Sequence, residues 1–224
     1  RHQSKGIFLW EYVLLFLRAS PDWISRPDVQ TSHQEGHSFM TTALKPPPGK
    51  LIVLEGLDGV GKTTQARLLA EYLRSLGLPV VRTREPTEGS WGRQIRAIIR
   101  QGRQGLPPEA ELELFVADRR EHVREVIGPA LAEGKIVISD RYYYSSMAYQ
   151  GALGLDPGEI QRLHAAFAPP PDLVIILELP LPEVQRRLQQ RGGPLSPSFE
   201  RLDYLARVAT IFHSIRGKGI VRVD

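Results

Sequence analysis

The sequence of 224 residues contains no cysteine, so disulfide bonds, cysteine-based zinc sites and thiol catalysis are excluded. Long hydrophobic runs are also missing: the most apolar stretch, residues 6–17, is too short to cross a bilayer and contains Glu11. Neither runs of lysine and arginine nor repeated interleaving of aromatic and basic residues occur, which argues against a nucleic-acid partner. We therefore expect no membrane anchor and no nucleic acid, and the lack of cysteine suits a cytoplasmic protein.

The composition is that of a soluble globular domain of ordinary size. Apolar residues make up 42% and charged residues 24%, and 29 Lys and Arg stand against 25 Asp and Glu. The positive excess is small and mostly arginine, whose planar guanidinium grips phosphate oxygens in a fixed geometry. We attribute this excess to ligand phosphates.

Residues 1–49 differ in composition from the rest of the chain. They hold five prolines and three of the six histidines, and the first methionine is Met40. We expect a leader that is disordered or is non-native upstream sequence, while a targeting or partner-binding arm is the alternative. Residues 50–224 are predicted to form one domain.

Beyond residue 50, short apolar runs alternate with segments of helical periodicity. This alternation predicts an α/β fold with a parallel sheet of about five strands and helices on both faces. In the helix after Pro107, we expect Leu112, Phe115, Val116, Val123 and Ile127 on the apolar side. The predicted strands are residues 51–56, 79–83, 135–140, 172–178 and 220–224, and the predicted helices are residues 62–76, 95–99, 107–127, 182–191 and 201–215.

Residues 56–63 (GLDGVGKT) match the phosphate-loop pattern G-x-x-x-x-G-K-[ST] in full, between a predicted strand and a predicted helix. Glycines let successive N–H groups turn toward a phosphate, and Lys62 supplies a mobile ammonium for the β- and γ-phosphates of ATP. Thr63 and Asp140, at the end of another strand, are the predicted Mg²⁺ ligands. The predicted ATP-binding residues are Gly56, Leu57, Asp58, Gly59, Val60, Gly61, Lys62, Thr63 and Thr64.

Four segments carry a family pattern: residues 55–65 (EGLDGVGKTTQ), 83–86 (TREP, with Arg96 behind it), 115–123 (FVADRREHV) and 139–151 (SDRYYYSSMAYQG). In order and spacing they resemble the bacterial thymidylate kinases, which are P-loop nucleoside monophosphate kinases. The resemblance implies the P-loop kinase fold and transfer of the γ-phosphate of ATP to dTMP, giving dTDP and ADP for dTTP synthesis. It also implies Mg²⁺ as cofactor and a homodimer.

The resemblance implies a site for the thymine base. Phe115 would stack on the ring, Arg119 would hydrogen-bond its exocyclic oxygen, and Ser146 and Gln150 would read its remaining polar edge. The implied dTMP-binding residues are Asp58, Glu85, Arg96, Phe115, Arg119, Arg141, Ser146, Tyr149 and Gln150.

The same resemblance implies a site for the acceptor's sugar and 5′-phosphate. Arg96 and Arg141 would clamp the phosphate, Asp58 and Glu85 would lie nearby, and Tyr149 would crowd the 2′ position and favour deoxyribose. Since an acceptor phosphate is already anionic, no general base is needed. The implied catalytic residues are Asp58, Lys62, Arg141 and Arg191.

Two regions depart from the family pattern. In the expected lid, residues 191–201, Pro197-Ser198 replaces the usual Asp-Arg, so Arg187, Arg191 or Arg201 would have to supply a lid arginine. Family members also continue past the last strand into a helix, and the domain is expected to lack that helix.

Two alternatives to a dTMP kinase stay open. The first is a P-loop kinase for another nucleotide or for a deoxynucleoside, whose 5′-hydroxyl would need Glu55 or Glu85 as a base. The second is a nucleotide-binding relative without turnover.

Overall fold

A computed structural model describes Val13, Phe16, residues 48–190 and residues 201–224. Its strands are β1 (Lys50–Glu55), β2 (Val80–Arg84), β3 (Ile136–Asp140), β4 (Leu173–Leu177) and β5 (Ile220–Val223). Its helices are α1 (Lys62–Ser75), α2 (Ser90–Gln101), α3 (Pro108–His122), α4 (Gly128–Ala132), α5 (Tyr143–Tyr149), α6 (Pro157–Ala165), α7 (Leu181–Gln190) and α8 (Leu202–Ser214). A π-helical turn, Val123–Ile127, joins α3 to α4, and a 3₁₀ turn, Gly151–Leu153, follows α5.

The five strands form one parallel sheet in the order β2-β3-β1-β4-β5. The central strands β1, β3 and β4 are buried almost throughout, as expected for parallel strands covered by helices on both faces. Their continuous apolar sequences follow from this burial, because both sides of each strand meet protein. The predicted α/β fold of the P-loop kinase type is confirmed.

The sheet brings three loops together at its carboxyl edge. The N–H of Glu85, after β2, donates to the Asp140 carbonyl at 3.0 Å, and the N–H of Arg141, after β3, donates to the Leu54 carbonyl at 3.0 Å. The C-terminal ends of strands β2, β3 and β1 therefore lie next to one another at the same edge of the sheet. The carboxyl ends of parallel strands are where open α/β sheets bind ligands.

Helix α3 buries a polar face. Glu111, Asp118, Arg119 and His122 are its buried residues, whereas Leu112, Phe115 and Val116 are half-buried. Of the predicted apolar residues, only Ile127, in the π-helical turn, is fully buried. The polar side chains are buried because each pairs with a group outside α3, located on or after β2, at the end of α5 or on α6.

Helices α4, α5 and α6 are additions to the elements predicted from sequence. Helix α6 has a local signal, since the side chain of Asp156 accepts from the Glu159 N–H at 2.9 Å and Pro157 takes the first helical position. Helix α5 has no such signal of its own. Its first turn is held by a side chain from β1, as described below.

In the first 49 residues, Val13 and Phe16 are helical, with Val13 fully buried in the hydrophobic core and Phe16 packed against that core. Residues 48 and 49 are also described, and the Gly49 N–H donates to the Leu131 carbonyl at 2.9 Å. The leader prediction otherwise falls on residues outside the described part of the chain. Among the described residues, every helix is too short or too polar to span a bilayer.

Candidate active site

The phosphate loop follows β1 and ends at the first residue of α1. Gly56 and Gly61 have φ values of 129° and 104°, which L-residues with side chains rarely adopt. A Cβ on Gly56 would also lie 2.3 Å from the Leu177 carbonyl oxygen, so only glycine fits there. Buried Lys62 folds back over this loop and donates to the carbonyls of Gly56 and Leu57 at 3.0 and 2.6 Å. Burial, and then the charge of Arg141, lowers the pKa of Lys62 to about 8.

Thr63 and Asp140 lie side by side at the start of α1. The Thr63 hydroxyl donates to Asp140 Oδ2 at 2.5 Å. A hydroxyl and a carboxylate next to a phosphate loop suit Mg²⁺, which takes oxygen ligands and draws most of them from water and nucleotide phosphates. The predicted pair is therefore close enough to share one ion.

Arg141 joins the phosphate loop to α5. Its guanidinium donates to Asp58 Oδ1 and to the Ser145 hydroxyl, both at 2.8 Å, and lies 5.1 Å from the centre of the Tyr149 ring. The backbone of Arg141 is in the left-handed region, with φ of 77°, a conformation that costs a non-glycine residue about 1 kcal/mol or more. The hydrogen bonds and ion pair of its side chain offset that cost.

Glu55, the last residue of β1, caps α5. Its Oε1 accepts from the N–H groups of Tyr142 and Ser145 at 2.8 and 3.1 Å, and its Oε2 accepts from the Ser145 hydroxyl at 2.7 Å. Burial raises the pKa of Glu55 to about 7, although Arg141 and these hydrogen bonds act in the opposite direction. Glu55 thus positions the helix that carries Ser146, Tyr149 and the residues between them.

One cavity of about 490 Å³ connects the phosphate loop with the ends of β2 and β3. Basic side chains and an apolar wall around Ile99 and Phe115 occupy its two sides. Its lining residues are Asp58, Gly59, Gly61, Lys62, Thr63, Thr64, Arg84, Glu85, Pro86, Arg96, Ile99, Phe115, Asp140, Arg141, Ser145, Tyr149 and Gln150.

Gln150 lines this cavity and carries a buried, unpaired acceptor. Its Nε2 donates to Glu111 Oε1 at 2.7 Å, and the carboxylate fixes which end of the amide is nitrogen because it only accepts. Within the part of the chain that the structure describes, Gln150 Oε1 is the one buried side-chain nitrogen or oxygen without a hydrogen-bond partner. Such an atom normally has a partner, so a ligand donor is expected there.

Arg119 lies immediately behind the cavity and does not line it. Its Nε and Nη2 donate to Glu85 Oε2 at 2.9 and 2.6 Å, and its Nη1 lies 3.2 Å from the Ser146 hydroxyl oxygen. Burial acts to raise the pKa of Glu85, but Arg119 and His122 hold it below its ordinary value. Glu85 itself lines the cavity, so this ion pair forms part of the wall of the site.

His164 of α6 contacts the guanidinium nitrogen of Arg119 that is not paired with Glu85. Its Nε2 lies 2.6 Å from Arg119 Nη1, and its Nδ1 lies 2.7 Å from the Ile160 carbonyl oxygen. Arginine only donates and a carbonyl only accepts, so the proton is on Nδ1 and the ring is neutral. Burial, and then the charge of Arg119, lowers the pKa of His164 to about 4.

The other predicted arginines are paired with neighbouring groups or lie outside the described residues. Arg96 lines the cavity, but its guanidinium donates to the Pro86 carbonyl at 2.9 Å and to Glu88 at 2.7 Å. Arg187 pairs with Glu183, and exposed Arg201 pairs with Asp203. The prediction for Arg191 falls outside the described residues, as does most of the expected lid.

Sequence reasoning missed Ser145, Glu111 and His164. Glu111, Phe115 and His122 recur at helical spacing along one side of α3, and this spacing is a signal that could have drawn attention to Glu111. His164 stands alone in its segment and offered none.

A phosphate loop at the carboxyl edge of a parallel sheet, with an adjoining basic and aromatic cavity, defines a P-loop protein that binds nucleotides. The sequence profile of the family described as thymidylate kinase matches residues 54–224. A thymidylate kinase from Desulfotalea psychrophila is 49% identical over 168 residues, covering 75% of this chain and 82% of the relative. One from Akkermansia muciniphila is 45% identical over 176 residues, covering 79% and 84%.

Among solved structures, the thymidylate kinase from Ehrlichia chaffeensis superposes with a TM-score of 0.63 at 32% identity, covering 79% of this chain and 89% of that one. The chain therefore belongs to the thymidylate kinase family. The resemblance found in its sequence motifs is confirmed, and so is the prediction of a nucleoside monophosphate kinase.

Proposed function

We propose that this chain transfers the γ-phosphate of ATP to dTMP, giving dTDP and ADP. The observation that carries the proposal is the buried, unpaired Oε1 of Gln150, a residue that lines the same cavity as the phosphate loop. Thymine presents a donor at N3 to such an acceptor, whereas cytosine presents a lone pair there. A site with a fixed acceptor rejects a base that lacks the matching donor.

The reaction needs little covalent chemistry from the protein. Lys62 leaves the loop carbonyls to stabilise the charge on the transferring phosphoryl group, and Arg141 holds the acceptor's 5′-phosphate while Asp58 orients the guanidinium. Thr63 and Asp140 would hold Mg²⁺, which would neutralise negative charge on the phosphates of ATP. The other acceptor contacts predicted from the sequence are part of the same proposal. Among them, Phe115 stacks on the thymine ring and Arg96 helps to hold the 5′-phosphate.

The structure offers no support for a deoxynucleoside acceptor. Glu55 accepts three hydrogen bonds and does not line the cavity, while Glu85 lines it but is paired with Arg119. Neither carboxylate is therefore available as a base.

The homodimer and the cytoplasmic location stay predictions, to be tested by sedimentation and by cell fractionation.

The test is ADP release from Mg·ATP by the purified chain, with dTMP, dUMP, dCMP, AMP, GMP and thymidine offered separately. Turnover is expected with dTMP, far less with dCMP and the purine nucleotides, and none with thymidine. Equal turnover with dCMP and dTMP would contradict the role given to Gln150. Tight ATP and dTMP binding without turnover would identify a nucleotide-binding relative.

A further inference from the structure

We infer that Glu111, which does not line the cavity, determines which base the acceptor site takes, because it fixes the direction in which the Gln150 amide points. Glu111 is a positioning residue, since it acts through Gln150 and touches no substrate. The inference rests on the proposed function for the identity of the substrate. It deepens that proposal by naming a second residue on which base selectivity depends.

A glutamine amide can present either its oxygen or its nitrogen to a ligand, and the two ends have nearly the same shape. A base whose N3 carries a proton needs the oxygen, and a base with a lone pair at N3 needs the nitrogen. The side chain of Gln150 is fully buried, so water cannot compensate for the wrong choice. Whatever orients this amide therefore selects the base.

Glu111 makes that choice because both of its oxygens are acceptors. Its Oε1 receives the Gln150 Nε2 at 2.7 Å, and a flipped amide would instead bring two acceptor oxygens together in a buried position. The side chain of Glu111 is 1% exposed, so repulsion between those oxygens would be poorly screened. The amide therefore keeps its oxygen for the ligand.

Arg103 keeps Glu111 in this role. Its Nε donates to Glu111 Oε2 at 2.6 Å, and its Nη2 donates to the Tyr204 hydroxyl at 2.7 Å. Tyr204 in turn donates to the Tyr149 carbonyl at 2.8 Å, next to Gln150 in the chain. The Glu111 carboxylate is thus held directly by Arg103, and Arg103 is in turn fixed by Tyr204 of α8.

Glu111→Gln reverses the choice with almost no change in shape. Arg103 only donates, so the oxygen of the new amide turns to Arg103 and its nitrogen donates to Gln150 Oε1. Gln150 is then forced to present its nitrogen to the cavity. The matched control is Glu113→Gln, the same charge change two residues along α3 at an exposed position.

The probe is O4-methyl-dTMP, which keeps an oxygen at position 4 but carries a lone pair at N3. The measured quantity is kcat/KM for dTMP divided by kcat/KM for this analogue, and any steric cost of the methyl group cancels between variants. In Glu111→Gln we expect the ratio to fall about 100-fold, with about tenfold lost on dTMP and about tenfold gained on the analogue. The KM for ATP should not change, and Glu113→Gln should behave as the wild type.

A wild-type ratio in folded Glu111→Gln would overturn the inference, and so would an equal loss on both substrates, which is what a merely structural role predicts. Glu111→Asp retains an acceptor-only partner, so its ratio should stay high even where both rates fall. If Glu111→Gln does not fold, the double variant Arg103→Met, Glu111→Met replaces the pair with apolar groups and frees the amide, and its ratio must fall. A wild-type chain that fails to phosphorylate dTMP would refute the proposed function instead.

Discussion

Removing Glu85 should destabilise the chain strongly, because Arg119 would keep a buried charge without its counter-ion. The two side chains are 3% and 1% exposed, and Glu85 accepts from Arg119 Nε and Nη2 and contacts His122 Nδ1 at 3.0 Å. Breaking such a pair from one side costs about 3–5 kcal/mol. For a chain of this size, Glu85→Met should therefore lower the unfolding temperature by about 6 to 20 °C.

The decisive comparison is with the double variant Glu85→Met, Arg119→Met, followed by urea unfolding and by thermal unfolding in the same buffer. Replacing both charges by apolar groups of similar volume removes the unpaired charge, so the double variant should be more stable than the single one. Glu88→Met, three residues further on, removes an exposed carboxylate and should change stability little. A double variant less stable than Glu85→Met would refute the assignment of the destabilisation to a stranded Arg119.

Three further predictions concern the phosphate loop and its surroundings. Lys62→Ala should abolish transfer in a steady-state assay while circular dichroism shows an unchanged fold, since the ammonium stabilises developing charge; near-normal turnover would exclude the loop as the site of transfer. Arg141→Ala should raise the KM for dTMP and lower kcat far more than it changes the KM for ATP, and an unchanged KM for dTMP would make this arginine structural. The pKa of Glu55 is raised from 4.5 to about 7, so its stabilising effect is complete below pH 4.5 and is lost as the pH rises through 7. Between pH 4.5 and pH 7, the free energy of unfolding should therefore fall more in the wild type than in Glu55→Gln, by an amount on the order of 3 kcal/mol. Parallel plots of unfolding free energy against pH for the two proteins would show that Glu55 is not protonated in the folded state.

The sheet and the phosphate loop were predictable because their physical requirements are local. Strands β1, β3 and β4 are buried on both faces and therefore consist of apolar runs, and the tight turn at Gly56 excludes any side chain. Residues that recur in a family pattern, such as Arg141 and Gln150, could be named for the same reason: their segment is continuous in the sequence.

The contacts within the polar network behind the cavity were not predictable, because its members come from distant segments. Gln150 and Glu111 are 39 residues apart, and Arg119 and His164 are 45 residues apart. Helix α5 depends on Glu55, 88 residues before its first residue, for the cap that its own sequence lacks. Local propensity carries no information about such pairs, and only the sheet topology brings them together.

On this mechanism, ATP and the acceptor monophosphate meet in one cavity and exchange a phosphoryl group directly. The most direct test is single-turnover transfer from ATP labelled in its γ-phosphate, with dTMP as acceptor and enzyme in excess. Labelled dTDP should form at the same rate as ADP, and neither should form with Lys62→Ala. ADP formation with the label in inorganic phosphate, or no transfer by a folded chain that binds both nucleotides, would contradict the claim.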